Sequence, residues 1–121
     1  MANTFKQINF AAEPASAGTP YTMYTVASST TTIVIGLLLT NIHTSSVTTE
    51  IELVSTTANR GGNNNVANGT SFLVKDVSIP VGSTLELLTG GKVVLEQGDA
   101  LKIDCSVADK LSGSLSVLEI T

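Results

Sequence analysis

"TTIVIGLLLTNI", residues 31–42, is the stretch on which the reading of the fold turns. Ile33, Ile35, Leu37 and Leu39 occupy one parity, and Val34, Leu38 and Ile42 the other. Successive side chains of a strand point to opposite sides of its sheet, so a run that is apolar at both parities has the pattern of a strand covered on both faces. A buried helix is the competing reading for an apolar run of this length. Gly36 and the flanking β-branched residues weigh against it, because glycine weakens a helix and a branched Cβ fits a pleated surface better. The stretch is therefore expected to be the most buried strand of a β protein. Its apolar core, "IVIGLLL", has seven residues, against about 20 for a helix that crosses hydrocarbon, so it reads as core and not as a membrane anchor.

The rest of the chain repeats this chemistry. Thr, Val and Ile number 17, 12 and 8 of 121 residues, heavy use of side chains that prefer strands. "YTMYTVAS" (21–28) follows Gly18 and Pro20 and reads as a first strand, with Tyr21, Met23 and Thr25 on one side and Thr22, Tyr24 and Val26 on the other. In "SVTTEIELVS" (46–55), Val47, Ile51 and Leu53 share one face while Glu50 and Glu52 lie on the wet one. "SFLVKDVSI" (71–79) is extended, "PVGS" (80–83) turns, and "TLELL" (84–88) is a short strand. "TGGK" (89–92) reads as a tight reversal making a hairpin into "KVVLE" (92–96). After the turn "QGDA" (97–100), Leu101, Ile103, Cys105 and Val107 alternate with Lys102, Asp104 and Ser106. "ADKLSG" (108–113) reads as a loop or one helical turn before the last strand, "SLSVLEIT" (114–121). About eight short strands at intervals of about ten residues predict an all-β fold, an antiparallel β-sandwich or jelly-roll-like barrel. Residues 1–18 differ: Phe5, Ile8 and Phe10 precede the small-residue segment "AAEPASAG" (11–18). They are expected to form an extended amino-terminal arm ahead of a single domain over 19–121, with the three apolar side chains covered by a neighbouring subunit.

Length and composition limit what such a domain does. One core is feasible at 121 residues, and 42% apolar against 13% charged places the chain among folded globular proteins. A net charge of -4 with six basic residues argues against nucleic acid, whose affinity comes from Lys and Arg displacing counterions. The lone Cys105 forms no intramolecular bridge and the opening is polar, so an intracellular origin, without export or membrane, is expected.

No constellation of reactive residues stands out, and the expectation is no catalytic, cofactor-binding or metal site. Nucleophilic catalysis needs a base, and the sole imidazole is His43 in "NIHTSS" (41–46), which reads as a solvated loop residue. Zinc needs several Cys or His and calcium needs closely spaced carboxylates, whereas "EIE" (50–52) is explained by alternation. "GGK" (90–92) lacks the earlier glycine and the receiving helix of a phosphate loop. Asn68-Gly69-Thr70 matches a glycosylation acceptor that a chain without an export signal never presents to the enzyme. Cys105, on the apolar face, reads as a small buried hydrophobe. "NRGGNNNVANGT" (59–70) reads as an exposed excursion between two strands, since Gly and Asn accept left-handed backbone. Its Arg60, Asn63, Asn64 and Asn65 are candidates for contact with a partner protein.

From about Thr19 onward, "YTVASSTTTIVIGLLLTNI" (24–42), "SFLVKDVSIPVGSTLELLTGGKVVLEQGDALKI" (71–103) and "SVLEIT" (116–121) resemble a family of small all-β virion structural proteins of tailed bacteriophages, notably those of marine bacteria and cyanobacteria. The Asn/Gly-rich excursion is longer than the tight loop expected of that family, and the amino-terminal arm lies outside the matching region. The resemblance implies a non-enzymatic particle component, made in the host cytoplasm and residing in the virion. A capsid decoration or cement protein is the leading expectation, with the major capsid protein as partner and self-association as dimer or trimer. A neck, head-to-tail joining or tail component is the alternative. A carbohydrate-binding β-sandwich is a more distant one, because sugar sites stack on exposed aromatics and the chain has no Trp, two Tyr and three Phe.

Overall fold

The computed structural model describes residues 2–55, 69–87 and 91–121. Nine strands are present among them: β1 Asn3–Glu13, β2 Tyr21–Thr25, β3 Thr31–Asn41, β4 Val47–Val54, β5 Thr70–Ile79, β6 Thr84–Leu87, β7 Val93–Leu95, β8 Ala100–Cys105 and β9 Leu111–Ile120. They form two antiparallel sheets, one in the order β1-β9-β3-β6 with β7 also on β3, the other in the order β2-β8-β4-β5. The connectivity is that of a jelly roll. The chain folds back on itself between β4 and β5, then pairs β3 with β6 and β7, β2 with β8, and β1 with β9. Rolling this long ladder brings β9 onto β3 and β8 onto β4.

Alternation sets the core. Val34, Leu37 and Leu39 of β3 and Leu111, Leu115 and Val117 of β9 face Ile51 of β4 and Leu101, Ile103 and Cys105 of β8, all buried. Cys105 is thus a buried core residue. Asn41 and Thr49, both buried, are bonded. Asn41, at the end of β3, donates to Ser45 O (3.0 Å) and Ile79 O (2.9 Å) and accepts from His43 N (2.7 Å), tying the β3–β4 turn to the end of β5. Thr49 donates to Asp104 O at 2.9 Å.

Four expectations change on folding. Residues 3–13 are extended, as expected, but they lie along β9 as the edge strand of this chain's own sheet, with eight consecutive partners from Asn3↔Ile120 to Phe10↔Gly113. Residues 87 and 93 do not turn back as a hairpin. Leu37↔Leu87 and Val34↔Val93 run in the same sense, so β6 and β7 are two pieces of one edge strand along β3. Leu111 already opens β9, where a loop or helical turn was expected. Finally, the described residues cover β3 on one face only: Leu38 and Ile35 are 43% and 39% exposed.

Candidate interaction surface

Opposite residues of an antiparallel pair share a face, and three such pairings link four residues in a row across the first sheet. Phe5 of β1 lies opposite Leu118 of β9, Leu118 opposite Ile33 of β3, and Ile33 opposite Val94 of β7. Their strand neighbours Val34, Leu95 and Val117 are buried in the core, so this row points outward. Phe5 is 74% and Val94 59% exposed. Ile120, Ile35 and Leu38 extend the apolar area along the strands. Ile35 is pushed out by a bulge, since Val34 pairs with Val117 and the next pair is Gly36↔Ser116.

Beyond the apolar row, toward the other end of the strands, the same face becomes small and polar. Ser112, Ser114 and Ser116 of β9 form its floor between Gln7 and Asn9 of β1 and Leu38 and Thr40 of β3. Two shallow grooves result, of about 190 Å³ beside Ile35, Leu38 and Glu86 and about 320 Å³ beside Gln7, Asn9 and Thr40. Along the paired rows of this face the one charged residue is Glu86, opposite Leu38. The other sheet is the reverse: Glu50 lies opposite Asp104 and Glu52 opposite Lys102, with Lys75 Nζ 2.8 Å from Glu50 Oε1. Among the described residues, one outer face carries charge along its paired rows, and the other carries Glu86 there, with Lys92 and Glu96 at the edge beside Val94.

A second polar cluster closes an end of the sandwich between the sheets. A bulge between Thr22 and Tyr24 turns Tyr24 to the inner side opposite Leu101, although simple alternation sets it against Tyr21 and Met23. Its hydroxyl donates to Glu119 Oε2 at 2.5 Å and lies 2.8 Å from Thr32 Oγ1. Lys6 Nζ is 2.8 Å from the other Glu119 oxygen. Burial, followed by the bond to Glu119, pushes the Tyr24 phenol up to about 12. The bonds from Lys6 and Tyr24 hold the Glu119 carboxyl below its ordinary range. Each partner keeps the other in its resting protonation state at neutral pH, and the cluster acts as a clamp joining β1, β2, β3 and β9.

The three apolar residues expected together on an arm are separated by the pairing of β1. Phe5 faces out, whereas Ile8 packs against the core and Phe10 lies inside it, edge-on to Tyr21 at 5.4 Å. The physical cause is parity: β1 is hydrogen-bonded to β9, so positions 8 and 10 turn in where 5 turns out. Phe10 fits because its neighbour across the pair is Gly113, where a Cβ would overlap the ring. Arg60, Asn63, Asn64 and Asn65 lie outside the described residues; Ser55 N to Gly69 O, 2.9 Å, joins the two ends flanking that segment. His43 sits in the β3–β4 turn with its backbone N–H held by Asn41. Among the described residues no group of three or more His, Cys, Asp or Glu is placed to hold a metal ion. No helix among them is long and apolar enough to cross a membrane. Sequence reasoning missed Leu118 and Val94 as surface residues; the available signal was the two-parity apolar pattern of 31–42, which asks for cover on a second face.

No protein-family model, curated protein or solved structure matches the chain.

Proposed function

We propose that this chain is a non-enzymatic structural protein of a tailed-bacteriophage virion, a capsid decoration or cement protein that binds and stabilises the shell through protein–protein contacts. The observation that carries the reading is the outer face of the β1-β9-β3-β6 sheet, a row of apolar side chains across four strands. An exposed contiguous apolar patch rimmed by polar residues is characteristic of protein contact surfaces. The choice of a phage virion as the particle rests on the strand and turn segments that resemble small phage virion proteins. Jelly rolls serve both in viral shells and in lectins, so the fold by itself does not choose between them.

The test is co-sedimentation of the purified chain with shells of the same phage. Saturable binding, with a rise in the temperature at which shells disrupt, is expected. A chain that ignores shells but binds isolated necks or tails moves to the alternative position in the particle, and one that binds no particle component removes the reading. The polar groove at Gln7, Asn9 and Thr40 gives the carbohydrate alternative its one foothold. Its aromatic, Phe10, is turned into the core instead of offering a stacking surface. Strong, selective signals on a glycan array would favour that alternative.

A further inference from the structure

We propose that the outer face of the β1-β9-β3-β6 sheet packs against the same face of a second copy of this chain, as a two-fold dimer whose axis runs along the strands. This rests on the reading of the chain as a protein that works by contact, and names its first partner. β3 has the side-chain pattern of a strand between two layers, and no described residue of its own chain supplies the second layer over Ile33, Ile35 and Leu38.

Charge selects the occupant. A basic or acidic partner needs a block of opposite charge to meet, and this face carries only Glu86 in its paired rows, with Lys92 and Glu96, of opposite sign, at its edge beside Val94. Two copies of a chain with net charge -4 repel each other least where they bring the fewest charges together. That is this face and not the one bearing Glu50, Glu52 and Asp104.

The area is sufficient when the whole face is used. Four strands about 4.8 Å apart, over some nine residues of about 3.3 Å, present roughly 600 Å² per copy. That gives roughly 1,200 Å² for the pair, the lower bound of stable interfaces. An isologous contact sets the same patch against itself.

The distribution of side chains along the face fixes the axis. The apolar row lies toward one end of the strands and the serine floor toward the other. Rotation about an axis along the strands sets apolar row on apolar row. Rotation about the perpendicular in-plane axis would set that row on serines. In the first arrangement Phe5 of one copy lies over Val94 of the other, with the two sheets' strands aligned.

Sedimentation of the full chain, paired with disulfide trapping, tests the proposal. The wild type is expected to sediment as a dimer. Phe5→Glu is expected to weaken the dimer roughly tenfold or more, as loss of a buried aromatic contact implies, while leaving the circular dichroism spectrum unchanged because Phe5 is exposed in the single chain. Under mild oxidation a mixture of Phe5→Cys and Val94→Cys chains should give a covalent dimer that neither variant gives alone. A monomer at concentrations up to roughly 100 μM overturns the proposal, as does a dimer indifferent to Phe5→Glu, or cross-linking within each variant but not in the mixture. A monomeric chain that still binds shells removes the dimer and leaves the proposed function standing; a dimer trapped as expected that binds no particle component does the opposite.

Discussion

Gly113 shows how one missing side chain decides the place of a whole strand. It lies opposite Phe10 on β1 and Leu39 on β3, and the space a Cβ would fill is taken by the Phe10 ring. Gly113→Ala should therefore lower stability by about 1–3 kcal/mol, the usual cost of overpacking, read from urea unfolding. In a Phe10→Leu background the further cost should shrink; strict additivity would mean that the ring is not what the glycine serves. The Tyr24–Glu119–Lys6 cluster makes a prediction in pH. Glu119 binds its proton less tightly folded than unfolded. Its contribution is thus present above the unfolded value, about 4.3, and is lost as pH falls through the lower folded one. Between about pH 6 and about pH 3 the urea midpoint of the wild type should fall further than that of Glu119→Gln. At the alkaline end, Tyr24 is held protonated to about 12, against about 10 unfolded, so its contribution is present below about 10 and is lost as pH rises from there to about 12. Absorbance titration should show a tyrosinate step near 12 that Tyr24→Phe removes. Neither feature was legible beforehand: alternation set Tyr24 on the side opposite Tyr21, and only the bulge between Thr22 and Tyr24 brings both inward. A bulge is one extra residue with no side-chain signature of its own.

The strands themselves were legible wherever alternation or a double apolar parity ran for five residues or more. Residues 101–107 show this best, with Leu101, Ile103 and Cys105 buried as their spacing requires. Direction after a turn was not legible. "TGGK" (89–92) reads as a turn, part of it outside the described residues, but turn chemistry does not say whether the chain reverses or resumes, and here Val93 resumes along β3 where Leu87 left it. The start of the chain was misjudged for a related reason. "NTFKQINF" (3–10) has no strong strand signal, and its partner β9 lies at the far end of the sequence. β1 is thus held by a contact that no local window contains. Deleting residues 2–13 should strip the cover from β9 and remove Ile8 and Phe10 from the core, lowering the melting temperature on the order of 10 °C or more. An appendage without a structural role would leave the melt unchanged.

Across the whole molecule, one ladder of paired segments rolls into two sheets and leaves them with unlike exteriors. Glu50, Glu52, Lys102 and Asp104 make one outer face fit for water, while Phe5, Leu118, Ile33 and Val94 make the other fit for protein. The all-β architecture was open to reading because it follows from side-chain period. The contact face was half open: β3 asked for cover on both sides, yet which side its own chain would leave bare depended on how β1, β9 and β7 settled around it. On the proposed reading, the work of the chain rests on this one surface. A density map of the intact particle by electron microscopy tests that claim most directly. The account predicts the row from Phe5 to Val94 pressed against a second copy of the chain, with the acidic face of the other sheet turned away; a row lying open to solvent in the assembled particle would contradict it.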